Sequence, residues 1–124
     1  MAVDPPGPRF ALRVDETTLA EDLAHASESG RAAIVPLFDN LERKGVPSAW
    51  LKRCQSDHTD GTNLSGCVKL YIPQPVGPWG AVFTGDRIAT TPIVVLLAIG
   101  LRHPTQPWMP SVYQIAHRRL HGTV

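Results

Sequence analysis

The chain has 124 residues, 43% hydrophobic and 19% charged, which is the make-up of one soluble globular domain spanning residues 1–124 and too little for two. Twelve Lys and Arg against eleven Asp and Glu leave a formal net charge of +1, yet residues 1–60 hold seven basic and ten acidic side chains and residues 61–124 five basic and one acidic, Asp86. The longest apolar run, residues 93–99, is far short of the roughly 20 residues a membrane-spanning helix needs; with no basic and apolar leader at the amino terminus, a cytoplasmic protein with no membrane partner is expected.

After a Pro/Gly-rich opening, expected to be flexible over residues 1–8, residues 9–14 (RFALRV) alternate Phe10, Leu12 and Val14 with Arg9, Ala11 and Arg13. That period of two predicts an edge strand. Thr18 and Glu21 fit a capping box, and Leu19, Leu23 and Ala26 recur at helical spacing, which predicts a helix running to about Glu28 and closed by Gly30. Residues 31–44 set Ile34, Leu37, Phe38 and Leu41 on one stripe, end in Arg43 and Lys44, and precede Gly45, a natural residue for the end of a helix. Two helices on so short a link imply an antiparallel hairpin.

Residues 46–55 suggest a short helical turn anchored by Trp50 and Leu51, and residues 56–66 (SDHTDGTNLSG) have loop composition. Three strands are then predicted: 67–72 (CVKLYI), 79–84 (WGAVFT) and 92–100 (PIVVLLAIG), with turns at Pro73 to Pro78 and at Gly85-Asp86. The last of them is β-branched and almost wholly apolar, so it should be central and buried on both faces. A proline-braced loop, residues 101–110, leads to a final helix over 111–120, with Val112, Ile115, Ala116 and Arg119 on one stripe and Tyr113 and His117 on the next. The expected fold is α+β: an N-terminal strand and helix hairpin packed on an antiparallel sheet of about four strands, with a C-terminal helix.

The chain lacks G-x-G-x-x-G, a Walker loop, G-x-S-x-G and H-E-x-x-H, so neither a nucleotide cofactor nor a metal is expected. Cys54 and Cys67 have neither C-x-x-C spacing nor a zinc pattern and are expected to be free, buried thiols. His58 with Asp57 and Asp60 has no ligand spacing and belongs with a solvated loop. What the second half does concentrate is Lys69, Arg102, His103, Tyr113, His117, Arg118, Arg119 and His121. Such groups suit phosphate. Metal-free RNA cleavage needs a base near the ribose 2′-hydroxyl, cations for the charge developing on the phosphorane, and a proton for the departing 5′-oxygen. His117 has the side chain for the last task. Strand alternation puts Lys69 and Tyr71 on one face and Val68 and Leu70 on the other. Arg118 and Arg119 diverge by about 100° around the helix, so one faces solvent or phosphate while the other pairs with an acid. Trp108 is placed to stack on a base, although it, Trp50 and Trp79 equally suit packing.

Residues 98–103 (AIGLRH), closing the apolar strand, and residues 111–120 (SVYQIAHRRL) form a Gly-x-Arg followed by a Val-Tyr-x-x-Ala-x-x-Arg helix. This segment resembles the carboxyl part of the RelE/ParE superfamily of bacterial toxins. The resemblance implies a small microbial-RNase-like domain that cuts messenger RNA on the ribosome and is neutralised by a cognate antitoxin. It implies that Arg102 stabilises the scissile phosphate, that Tyr113 acts at the 2′-hydroxyl or stacks on a base, and that Lys69 assists electrostatically. From their charge or aromatic side chains, His103, Arg87, Arg118, Arg119 and Trp108 are expected as further RNA contacts. In one respect the chain departs from the family: where its strand reads aromatic-Arg-apolar, this chain has Trp79-Gly80-Ala81. Either Arg87 or His103 replaces the missing cation, or the domain is a catalytically weak member, or its target is different. ParE-like members inhibit DNA gyrase without an RNase site, and that alternative stands beside the first.

Overall fold

The computed structural model describes residues 8–24, 26–54, 63–64, 66–72, 79–86, 93–104 and 108–122. Its centre is a six-stranded sheet in the order β2-β1-β6-β5-β4-β3. Four strands carry most of it: β1 (Arg9–Arg13), β4 (Cys67–Tyr71), β5 (Trp79–Asp86) and β6 (Ile93–Leu101). Two strands of two residues each, β2 (Val46–Pro47) and β3 (Lys52–Arg53), form the edges. The α+β class and the central place of β6 agree with the sequence. The strand count does not, and the sheet is mixed, because β1 runs parallel to β6 through Ala11↔Ile93, Leu12↔Val94 and Arg13↔Val95. β1 is therefore an inner strand, flanked on its other side by β2.

Helix boundaries follow the caps. Asp15, extended and two residues past the end of β1, accepts hydrogen bonds from the Thr17 and Thr18 amides, so it, and not Thr18, caps α1 (Glu16–Leu23). Ser27 accepts from the Gly30 amide and starts α2 (Glu28–Lys44), placing Gly30 in its first turn instead of at the end of α1. Gly45 does end α2, with φ of 82°, a left-handed value that a side chain disfavours. Both helices pack on the sheet, α1 against β6 and α2 against β1. A 3-10 turn, Ser48–Trp50, occupies the segment expected to be a helical turn, and the strands on either side of it add the two edges. Gly85 and Asp86, expected as a turn, extend β5 by pairing with Val94 and Ile93.

The sheet separates two apolar clusters. On one face Leu23, Ile34, Phe38, Leu41, Leu70, Trp79, Phe83, Leu96 and Ile99 pack beneath α1 and α2. On the other, Leu64, Cys67, Val82 and Ala98 meet Val112 and Ala116 of α3 (Val112–Leu120). Ser111 caps α3 reciprocally with Gln114, and this box fixes where the helix leaves the sheet. Leu97 is an extra residue in the β5–β6 ladder, since Val82 pairs with Ala98 and Phe83 with Leu96.

Beyond Val95 the edge of β6 facing β1 has no strand partner among the described residues, and a pair of charged side chains takes that place. Asp22 of α1, buried, accepts the Ile99 amide at 2.8 Å, and Arg119 of α3 donates to the Leu97 carbonyl at 2.9 Å. The two side chains join through Nη1–Oδ2 at 2.9 Å and Nη2–Oδ1 at 2.7 Å. The hydrogen bond and charge of Asp22 outweigh the cost of burial and push the Arg119 guanidinium further up, so it stays charged.

Candidate functional site

On the α3 side of the sheet, a short row of side chains comes from four different elements. Tyr71 at the end of β4 is 40% exposed and offers its ring as a platform. The Arg102 guanidinium lies 4.4 Å from that ring's centroid, the Lys52 ammonium 4.9 Å and the Lys69 ammonium 5.5 Å. Lys69 is also 5.5 Å from the ring of Tyr113, in the first turn of α3. Strand alternation brings Lys69 and Tyr71 to one face, and the β3–β4 register sets Lys52 directly opposite Lys69. Cation–π contacts of this kind are worth about 0.5–1 kcal/mol each at exposed positions, so the rings partly offset the mutual repulsion of three like charges. None of these three cations forms an ion pair among the described residues.

Gly80 explains how Arg102 reaches Tyr71. Tyr71, Gly80 and Gly100 form one cross-strand row through β4, β5 and β6. A Cβ at Gly80 would stand 2.9 Å from Cγ of Arg102 and 3.1 Å from its Cδ. The stem of Arg102 therefore lies across the bare backbone of β5, with its guanidinium over Tyr71. Its Nε–H is buried without a hydrogen-bond partner among the described residues, so packing and stacking hold the side chain. Buried donors left unpaired are rare and mark strained or functional positions. Gly80 is thus a space requirement of Arg102.

Burial, together with the neighbouring Tyr71, pushes the Tyr113 phenol up to about 12, against the opposing pull of Arg102. It is a neutral hydrogen-bond donor at physiological pH. Cys54 and Cys67 lie next to the row; both are thiols, Cys67 buried and Cys54 half-buried.

Of the residues singled out in the sequence, Arg102, Lys69 and Tyr113 come together here, and the others are dispersed. His117, one turn beyond Tyr113, accepts the Asn63 amide on Nδ1 at 2.9 Å, and His121 donates from Nε2 to the Asn63 carbonyl at 3.0 Å. Their rings are 4.4 Å apart and hold Asn63 on α3. Arg119 braces the edge of β6, while Arg118 and His103 are exposed. Trp108, 73% exposed, stands at a cavity of about 310 Å³ lined also by Trp79, Leu101, Met109, Pro110 and Ile115. Arg87, and the cluster Asp57, His58 and Asp60, lie outside the described residues.

Lys52 and the platform role of Tyr71 were missed by the sequence reading. The alternation that paired Lys69 with Tyr71 was in view, but Lys52 belongs to a two-residue strand inside a segment read as helical. Among the described residues no group of three or more His, Cys, Asp or Glu is arranged to hold a metal ion, and no helix is long and apolar enough to cross a membrane.

Comparison with protein-family models, curated proteins and solved structures returns no match. The functional reading rests on the row of cations and tyrosines.

Proposed function

We propose that the chain is a RelE-like toxin, a metal-independent endoribonuclease that cuts messenger RNA at the ribosome and is restrained by an antitoxin. The observation that carries this reading is the convergence of Lys52, Lys69 and Arg102 on Tyr71 and Tyr113, with no acid paired to any of the three among the described residues. Uncompensated cations on a partly exposed face attract phosphate. Arg102 and the two lysines hold the scissile phosphodiester and stabilise the charge of the phosphorane. Tyr113, protonated at neutral pH, donates a hydrogen bond to that charge or to the leaving 5′-oxygen. Tyr71 stacks with a base adjacent to the cut.

Lys52, over the same Tyr71 ring as Arg102, supplies a cation beside Gly80 that the sequence reading did not count, and this supports an active domain over a catalytically weak one. A second reading, a non-enzymatic inhibitor that binds a protein such as gyrase, is favoured by exposed Trp108 beside an apolar cavity.

The deciding experiment is induced expression of the wild type and of Arg102→Ala and Tyr113→Phe variants, with growth followed and messenger RNA ends mapped. New cleavages that fall about 10²–10³-fold in Arg102→Ala, the scale of losing one donor to a developing charge, support the nuclease. Growth arrest with intact RNA moves the assignment to a protein target, and the absence of arrest refutes the toxin.

A further inference from the structure

We propose that Cys54 and Cys67 are a redox-active pair that closes into a reversible cross-strand disulfide, latching the edge strand β3 onto β4. The β3–β4 register pairs Lys52 with Lys69 and Arg53 with Val68, so the next opposed pair is Cys54 and Cys67. The Cys54 amide donates to the Cys67 carbonyl at 3.1 Å, which continues the ladder by one step. Side chains of directly opposed residues project to the same face. Accordingly, Cys67 belongs to the cluster under α3, and Cys54 packs against that cluster. They are the only two cysteines of the chain.

Opposed residues that share a ladder hydrogen bond have Cα atoms about 5.5 Å apart, inside the window of roughly 4.4–6.8 Å that a disulfide accepts. Their Cβ atoms, about 4.5–5.5 Å apart, must close by about 0.7–1.7 Å to reach the mean disulfide spacing of about 3.8 Å. The structure leaves room for that movement on the side of β3. This strand has two residues and one neighbour, and the Cys67 amide is engaged by the Leu64 carbonyl at 3.0 Å instead of by Cys54. One backbone bond, not two, thus fixes the cysteine pair. A disulfide closed with some strain is more readily reduced than a relaxed structural one, which fits reversible closure.

With a low-molecular-weight disulfide such as oxidised glutathione as oxidant, the Cys54 thiol loses its proton and its sulfur attacks one glutathione sulfur. The glutathione S–S bond breaks, a mixed disulfide forms and one glutathione leaves as thiolate. Cys67, deprotonated in turn, attacks the Cys54 sulfur and expels the second glutathione. Two protein thiols are oxidised, one glutathione disulfide is reduced to two glutathiones, and these take up the two protons. Burial pushes both thiols up, Cys54 to about 11 with Cys67 contributing. Closure is therefore slow at neutral pH and speeds up about tenfold for each unit that pH rises toward that value. Lys52 lies two residues before Cys54 on the same face, so the latch fixes it over Tyr71.

The test equilibrates the folded, reduced full-length chain in glutathione buffers of graded ratio at pH 8.5 without oxygen, followed by alkylation and mass analysis. The expected product is a monomer about 2 Da lighter, the mass of two hydrogens lost on oxidation, with residues 54 and 67 joined in its digest. Dithiothreitol should restore it fully, and Cys54→Ser and Cys67→Ser should each abolish it. Closure should also proceed at the same rate with and without low urea. Mixed glutathione adducts or inter-chain dimers without the internal bond would overturn the proposal. So would a closure rate that climbs with urea in parallel with global unfolding, because the pair would then meet only in the unfolded chain. Urea midpoints of the two serine variants, measured alongside, ensure that a folded protein is being scored.

Discussion

Replacing Asp22 with alanine should be among the most damaging single changes in this protein. The carboxylate, 4% exposed, accepts three hydrogen bonds: from the Ile99 amide at 2.8 Å, from Arg119 Nη1 at 2.9 Å and from Arg119 Nη2 at 2.7 Å. Asp22→Ala leaves a strand amide without a partner and Arg119 without its close counter-charge. Breaking a buried pair on one side costs about 3–5 kcal/mol. Arg119 is 27% exposed and has Glu21 at 3.5 Å as a substitute, so the expected loss is near the lower end, about 3 kcal/mol. That is a large share of the roughly 5–15 kcal/mol by which such domains are stable. Asp22→Asn should cost less. Its single oxygen can take the place of Oδ2 and keep the Ile99 and Nη1 bonds, while its NH2 then faces the Nη2 donor. Urea unfolding is the assay, and a lowered midpoint at unchanged slope is the expected form. In a double-mutant cycle with Arg119→Ala, the coupling should exceed about 1 kcal/mol, as for residues in one network. A loss below about 1 kcal/mol for Asp22→Ala, the level of an ordinary surface pair, would refute the idea that these side chains stand in for a missing strand.

Gly80→Ala should force Arg102 into another rotamer, because the 2.9 Å contact falls on the Cγ of its stem, and lower stability by about 1 kcal/mol; it should displace Arg102 from Tyr71 and lower the proposed RNA cleavage about 10²-fold, as misplacement of about 1 Å does. Wild-type cleavage in that variant would show that the Arg102–Tyr71 stack is dispensable. Absorbance titration at 295 nm should place the Tyr113 phenol near 12, with the step missing in Tyr113→Phe. Since the folded value lies above the unfolded one of about 10, this group's stabilisation is complete below about pH 10 and is lost as pH rises through about 12, so Tyr113→Phe should flatten the stability decline across that window. Phe38→Ala, at a position 1% exposed, should cost about 3–5 kcal/mol in the same urea assay.

How much of this architecture was legible beforehand differs by element. The stripe Ile34, Leu37, Phe38 and Leu41 identified α2, and the residues expected in its core are buried or half-buried. The apolar run of β6 announced a central strand for the same reason: only a segment covered on both faces tolerates such composition. Arg102, Lys69 and Tyr113 were named as partners and do share one site. Lys52 was not, since a two-residue strand carries no periodicity to detect. Arg119 was left open between phosphate and an acid, and the acid proved to be Asp22, 97 residues away in sequence.

By itself, then, the sequence determined the elements whose signal is local: the helix stripes, the strand alternation that set Lys69 beside Tyr71, and the cationic character of the second half. Tertiary structure alone decided the rest. It made the sheet mixed by laying β1 parallel to β6, and it ended that pairing at Val95, so that Asp22 and Arg119 meet at the open edge. It also turned Gly80 from a missing cation into the floor on which Arg102 crosses to Tyr71. The physical reason is the same in each case. Periodicity reports which face of an element avoids water, whereas strand register, sheet edges and the space beside a glycine are set by segments far apart in the chain.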